Sequence, residues 1–423
     1  MLVKTKISVD ALEIGMFVVE LDRPWTDLPF MLQGLMIKDE FEIRTLRQFC
    51  DYVYIDYDYS QQHKDAKQQE QEALKNANQN FSRSTANKAV TGSLRPKTEI
   101  ENELPRAHHL YQQAKNHLED LFSCAKRDQK LDLTHTKLVV KECISSIVSN
   151  ANALFWLTRI QESSDREANH SLRVSVLSIA LGHYIGLSSH ELEQLGTAAL
   201  LHDIGKTRIP DDILNKAEHL SDAERRVLQR HTTIGYELLN EDDSLANIIK
   251  EVALHHHQRP DGKGYPLQKE QTHLSTYTRI VSIVDAYDDM THNSPYRIAM
   301  SPRMALKELF AEAGKQFDKK LSYSFIKMIG LYPVGSLVKM TNGEVALVVA
   351  DNEEQKLRPT IELIYDPYGK TRPPQQLNLK QKPLDEYGFP YEIAASLPDG
   401  AMGMDMQHYI SERLKVHKLQ ASA

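Results

Sequence analysis

Residues 255–266 read HHHQRPDGKGYP. Three imidazoles in a row run straight into Asp-Gly, a second glycine and Tyr-Pro. Glycine admits backbone angles closed to other residues and proline fixes its own, so the second half of the stretch is a tight turn. A histidine run at a solvated helix end is most often plain polar surface. The stretch therefore gains meaning only beside other ligand-type residues, and the chain supplies them. His170 lies in NHSLRV, His202 and Asp203 in LLHDIGK, His231 in RHTTIGYELL, and Asp285 in RIVSIVDAYDDM. Each is polar within or beside an apolar helical pattern.

Taken with His256 and His257, these residues run in the order H…HD…H…HH…D. Helices of a bundle can project such side chains inward from distant points in the chain. Imidazole with carboxylate suits iron, manganese, zinc or nickel. In an adjacent His-Asp pair the Asp can bridge two metals while the His binds one. Two metals about 3.5–4 Å apart can share a hydroxide and stabilise the attacking and leaving oxygens of a phosphoryl displacement. No Ser-His-Asp arrangement, Walker loop or GxGxxG pattern competes with this reading. His183, His190, His219 and His273 read as surface or packing residues, and His255 as the ambiguous member of the triplet.

Around this constellation, residues 163–330 read almost wholly as helix. Val174, Leu177, Leu181 and Tyr184 fall at helical spacing. Ser188 with Glu191 and Ser221 with Glu224 fit the capping box that opens a helix. Residues 1–58 read as a small α+β domain: Met16–Val19 and YVYIDY are β-prone, with the helical EFEIRTLRQFC between them. Residues 59–104 are rich in Gln, Asn, Lys and Ser and read as a polar linker. Residues 105–162 form a helical connector whose apolar spacing fits a buried helix or a homodimer contact. In residues 331–385, Asn342-Gly343 between two β-prone runs predicts a hairpin, and 386–423 is a tail, helical near MDMQHYISERLKV. The fold class is thus multidomain: an all-α catalytic domain, a small α+β N-terminal domain and a short β-rich C-terminal segment.

The 423 residues allow roughly two to four domains. Hydrophobic content is 41% and charged content 26%, as in an ordinary globular protein. A net charge of −7 argues against wrapping duplex nucleic acid, though not against a small anion. Cys50, Cys124 and Cys143 form neither CxxC nor a disulfide framework, which suits a reducing cytoplasm. No apolar run reaches the roughly 18 residues a membrane span needs, and the N-terminus lacks a signal-peptide core.

The motifs HDIGK at 202–206, HH at 256–257, DGKGYP at 261–266 and D-x-Y-D at 285–288 together resemble the HD-GYP domain, a branch of the HD superfamily of metal-dependent phosphohydrolases. Residues 1–58 resemble the small uncharacterised domain often found ahead of it. The resemblance implies an all-helical domain that hydrolyses cyclic dinucleotides, chiefly cyclic di-GMP, with some members preferring the mixed guanine–adenine molecule, 3′,3′-cyclic GMP-AMP. It implies metal ligands at His170, His202, Asp203, His231, His256, His257 and Asp285, with Asp203 bridging and catalytic. It implies that Lys206 reaches the scissile phosphate, where a compact cation offsets developing charge. Gly264, Tyr265 and Pro266 would shape the substrate pocket, and Arg297 would recognise phosphate or guanine. A signalling partner acting through the N-terminal domain is a further expectation.

Three departures from the family pattern stand out. Arg166 replaces the Glu that gives some members a third metal, so two divalent ions, iron or manganese, are expected, with Asp165 the acid that could move in. Gln258 replaces the Glu usual after the His pair. Ser294 replaces the first Arg of R-P-Y-R, which removes a bidentate contact and puts substrate preference in doubt. The chemistry expected is hydrolysis of a 3′,5′-phosphodiester by a hydroxide shared between the metals. The rival readings are a catalytically weak cyclic dinucleotide receptor and a phosphohydrolase of another small nucleotide.

Overall fold

The structure is a computed structural model that describes residues 4–24, 35–37, 43, 46–47, 49–56, 94, 96–159, 166–267, 274–294, 297–352, 355–398 and 401–421. Most of the polar linker, Asp165, His273, Pro295 and Tyr296 lie outside the described residues. The chain divides into two compact units: Met1–Ala89 with Asp351–Thr360 and Leu377–Pro390, and Val90–Ala350 with Ile361–Gln376 and Tyr391–Ala423.

In the first unit, β1 (Lys4–Ser8), β2 (Phe17–Leu21), β3 (Leu35–Met36) and β4 (Tyr52–Asp56) form an antiparallel sheet in the order β1-β4-β2-β3. Val18 and Leu21 of β2, on either side of a register shift, and the alternate residues Val53 and Ile55 of β4 point into a core with Ile37, Ile43 and Leu46. Ile43, Leu46, Arg47 and Phe49 are helical, so this part is α+β.

The second unit opens with α1 (Ile100–Lys126) and α2 (Thr134–Leu157). The first helix starts inside the segment read as linker. The reason is Glu103: it is buried, and its two oxygens accept hydrogen bonds from the Ser146 and Ser149 hydroxyls at 2.7 Å each. A polar residue that looks like linker is thus a satisfied buried group. The apolar side of α2, including Val140, Ile147, Leu154, Trp156 and Leu157, is buried within a single chain. Of the two uses the spacing allowed, the buried one is realised, and that face gives no ground for a dimer.

The helices α3 (Arg166–Tyr184), α4 (Ser189–Leu201), α5 (Asp211–Leu214), α6 (Asp222–Gln229), α7 (His231–Asn240), α8 (Asn247–His255), α9 (Thr276–Thr291), α10 (Pro302–Ala311) and α11 (Lys319–Ile329) follow. Every residue from Ala168 to Gly182 on α3 is buried, which makes it the central helix. Small residues allow the close approach: Ser175 donates to the Gly196 carbonyl at 2.9 Å, and a Cβ on Gly196 would stand 2.8 Å from Ile179 Cδ1. Both predicted capping boxes are present, opening α4 and α6.

The C-terminal strands β5 (Leu337–Met340), β6 (Val345–Ala350), β7 (Thr360–Tyr365), β8 (Thr371–Asn378) and β9 (Ile393–Ser396) form a sheet in the order β8-β7-β6-β5-β9. The β5–β6 hairpin turns at Asn342-Gly343, where Gly343 has φ 91°. The strand β9 lies in the segment read as tail. Its sequence, IAAS, has no β-prone pattern, and it becomes a strand by pairing with β5. The final helix is α12 (Met406–Ala421). Among the described residues no helix is long and apolar enough to cross a membrane.

Candidate metal centre

Four helix ends meet at one buried point. His170 sits on the first turns of α3, His202 and Asp203 directly follow α4, His231 opens α7, and His256 and His257 follow α8. Asp285 comes from the middle of α9. The ligand atoms fall into two groups, each with all members within 4.8 Å of one another: His170, His202, Asp203 and Asp285, and Asp203, His231, His256 and His257. Asp203 belongs to both. Its Oδ2 is 3.4 Å from the Nε2 of His170 and of His202. Its Oδ1 is 3.3 Å from His231 Nε2 and 3.5 Å from His256 Nε2. One carboxylate thus turns one oxygen toward each group.

Backbone carbonyls aim the rings. A carbonyl only accepts, so the ring nitrogen facing it carries the proton. Nδ1 of His202 donates to Ala199 at 2.7 Å, Nδ1 of His231 to Leu228 at 2.7 Å, and Nδ1 of His256 to Ala253 at 3.0 Å. Each Nε2 is left with a lone pair directed inward. The Nε2 atoms of His231 and His256 stand 3.3 Å apart. His202 Nε2 and both Asp203 oxygens are buried with no hydrogen-bond partner, and the contact of Asp203 Oδ2 with Lys206 Nζ at 2.5 Å lacks hydrogen-bond geometry. Buried acceptors without donors are costly. Converging lone pairs and a carboxylate that accepts no hydrogen bond are what a divalent cation satisfies, so the residues fit a metal.

The charges agree. Burial alone would raise the pKa of Asp203, but Lys206 holds it well below the carboxylate range. Burial likewise opposes ionised Asp285, and the hydrogen bond from His170 keeps it ionised. Burial pushes His231 down to about 4 and, with His256 beside it, holds His257 well below the usual histidine value. Neutral imidazole is the ligand form. His170 is the exception: against burial, Asp203, Asp285 and Asp288 hold it well above the usual value. Its Nδ1 donates to Asp288 at 2.8 Å and its Nε2 to Asp285 at 3.0 Å, so a metal there would take the place of the Nε2 proton.

Two glycines set the local backbone. A Cβ on Gly205 would lie 2.0 Å from the His231 carbonyl, so only glycine lets the turn after Asp203 (the 3-10 segment Ile204–Arg208) meet α7. A Cβ on Gly264 would lie 2.4 Å from the His257 carbonyl and 2.5 Å from Arg259 N. The missing side chain of Gly264 therefore admits the chain's own backbone. Tyr265 lies over His257, ring centroids 4.7 Å apart, and Pro266 follows it in the half-buried loop. His255 belongs to neither group, and His183, His190 and His219 lie outside both. Arg297 contacts Asp289 on the last turn of α9, through its carbonyl and at 2.8 Å through its carboxylate.

Asp288 and Glu167 had no role in the sequence reading. Asp288 is gripped by Arg173, Nε to Oδ1 at 2.9 Å and Nη2 to Oδ2 at 2.8 Å, and it orients His170. Its place was signalled by the three-residue step from Asp285, which puts both acids on one helix face. Glu167 Oε2 lies 3.3 Å from Lys206 Nζ.

Fold and cluster define an HD-type helical metal-binding domain, and comparison with known proteins agrees. An HD domain profile matches residues 155–321, a domain of unknown function matches 4–136, and a KOW domain associated with HD domain matches 337–384. A cyclic di-GMP phosphodiesterase of Pseudomonas aeruginosa is 31% identical over 377 residues, covering 88% of each chain. A 3′3′-cGAMP-specific phosphodiesterase of Vibrio cholerae is 34% identical over 170 residues, 40% of this chain and 33% of that one. A cyclic di-GMP phosphodiesterase of Thermotoga maritima is 33% identical over 174 residues, 41% and 47%. The chain belongs to the HD-GYP family, with the domain of unknown function at its N-terminal end.

Proposed function

We propose that this protein is a metal-dependent phosphodiesterase that opens a 3′,5′-phosphodiester of a cyclic dinucleotide, cyclic di-GMP first and the mixed guanine–adenine molecule second. The observation that carries the reading is the buried Asp203, which accepts no hydrogen bond and is shared by two groups of ligand atoms. His170, His202, Asp203 and Asp285 would hold one divalent ion, iron or manganese, and Asp203, His231, His256 and His257 the other. Bound ions supply Lewis acidity, lowering the pKa of water and offsetting phosphate charge.

The chain's own groups do the rest. Ionised Asp203 and Asp285 supply the negative charge. Lys206, kept charged by Asp203 and Glu167 against burial, brings an ammonium to the face where a phosphate oxygen would gain charge. Tyr265 covers His257 and narrows the approach. Arg166, 38% exposed and paired with Glu167, puts a cation where a third metal would need an acid, which supports two ions. Residues 1–58 are proposed as a regulatory module for a signalling partner: they have their own sheet and core and no ligand cluster among their described residues. A reducing cytoplasm is the proposed location, on three thiols that are free.

The test is a product assay. Protein purified without oxygen and loaded with iron or manganese is incubated with each cyclic dinucleotide and with nucleoside phosphates, beside Asp203→Ala. Linear dinucleotide or mononucleotide, absent with the variant, is the expected result. Binding without turnover under both metals would make the protein a receptor, and turnover of nucleoside phosphates alone would change the substrate class.

A further inference from the structure

We infer that Glu167 is the positioning residue for Lys206: it keeps the ammonium at the reaction site once Asp203 is engaged by metal. The inference rests on the role proposed above for Lys206. Among the described residues two carboxylates pair with Lys206 Nζ, Asp203 Oδ2 at 2.5 Å and Glu167 Oε2 at 3.3 Å. Of the two, only Glu167 lies outside both ligand groups. Two divalent ions would claim both oxygens of Asp203 and would repel a nearby ammonium. A lysine has a flexible four-carbon stem. With Asp203 alone as partner, Lys206 would swing away in the loaded site.

Glu167 prevents this. It stands three residues before His170, on the same face of α3, so its carboxylate is fixed relative to a ligand. The Glu167 and Lys206 side chains are 19% and 18% exposed, unlike the surface pair of Lys126 and Asp211 at 56% and 64%. The second oxygen of Glu167, Oε1, lies 3.4 Å from Arg166 Nη2. With a cation on each oxygen, Glu167 is already matched and is not drawn into the metal shell.

The experiment is a double-mutant cycle on metal-loaded full-length protein: Glu167→Gln, Glu167→Asp, Lys206→Ala and the double variant Glu167→Gln with Lys206→Ala. Metal content, kcat and KM are measured, and the loaded parent is crystallised. Glu167→Gln should keep its metals and lower kcat about 10- to 100-fold, the size of a misplaced catalytic group, with KM little changed. Glu167→Asp should recover part of the loss. The double variant should be no slower than Lys206→Ala alone, because Glu167 acts only through the lysine. Crystals should keep Lys206 Nζ on Glu167. Full activity in Glu167→Gln, loss of metal in it, additive losses in the double variant, or Glu167 bound to metal in crystals would each overturn the inference. If Lys206→Ala is itself fully active, the proposed role of the lysine fails instead, and the two failures are distinct.

Discussion

The second unit contains two buried polar clusters that differ in how fully their groups are hydrogen-bonded. Around Glu362 on β7, which is 3% exposed, every charge has a partner. Oε1 accepts from the Tyr409 hydroxyl at 2.5 Å, and Oε2 accepts from Gln376 at 3.3 Å and from the Arg413 guanidinium. Arg413 also lies over the Trp156 ring, 5.3 Å from its centroid, so the cluster fastens α12 to β7 and to α2. Around Asp203 the acceptors outnumber the donors, and three buried atoms have no hydrogen-bond partner. A closed buried network is complete as it stands. An open one is shaped for something the chain does not supply.

The comparison breaks most clearly under deletion of its two centres. Asp203→Ala should lose activity by more than about 10³-fold, beyond the cost of one lost transition-state donor, and should lose bound metal; turnover and metal content check this. Arg413→Ala should leave metal content unchanged and destabilise the fold by about 3 kcal/mol, because it strands a buried carboxylate; urea unfolding checks this. If the two variants exchanged these outcomes, the assignment of open and closed clusters would be reversed.

A finer distinction lies within the open cluster. Asp288→Asn keeps the shape but weakens the grip on His170, and should cost about 10- to 100-fold in metal affinity or activity; metal titration reads it. The smallest effect is electrostatic and far from both clusters. Glu224 is held down to about 2 by Lys216 and the Ser221 cap. A carboxyl depressed in the folded state stabilises above its ordinary value of 4.5 and loses that contribution as pH falls toward 2. The Tm difference between the parent and Glu224→Gln should therefore shrink over that acid range and hold steady above it.

Much of the site was legible because its residues are adjacent or regularly spaced in the chain. His202-Asp203 and His256-His257 are neighbours at helix ends. What stayed hidden depends on partners distant in sequence. Arg173 and Asp288 are 115 residues apart and only their contact gives either a role. Glu167 reads as one more surface acid until Lys206 is seen against it. Glu103 reads as linker until two serines of α2 cover it. The strand β9 has no pattern of its own and takes its form from the edge of β5. Gly264 reads only as a turn glycine, and the space its missing side chain leaves is taken by the backbone of His257–Arg259.

The measurement that bears most directly on the central claim is a metal count. Parent and Asp203→Ala would be purified without oxygen, loaded with iron or manganese, freed of excess and analysed for metal per chain, with circular dichroism to confirm folding. Asp203 shared between two ligand groups predicts two ions per parent chain and a clear loss in the variant. A folded parent that holds none, or a folded variant that holds as many as the parent, would contradict it.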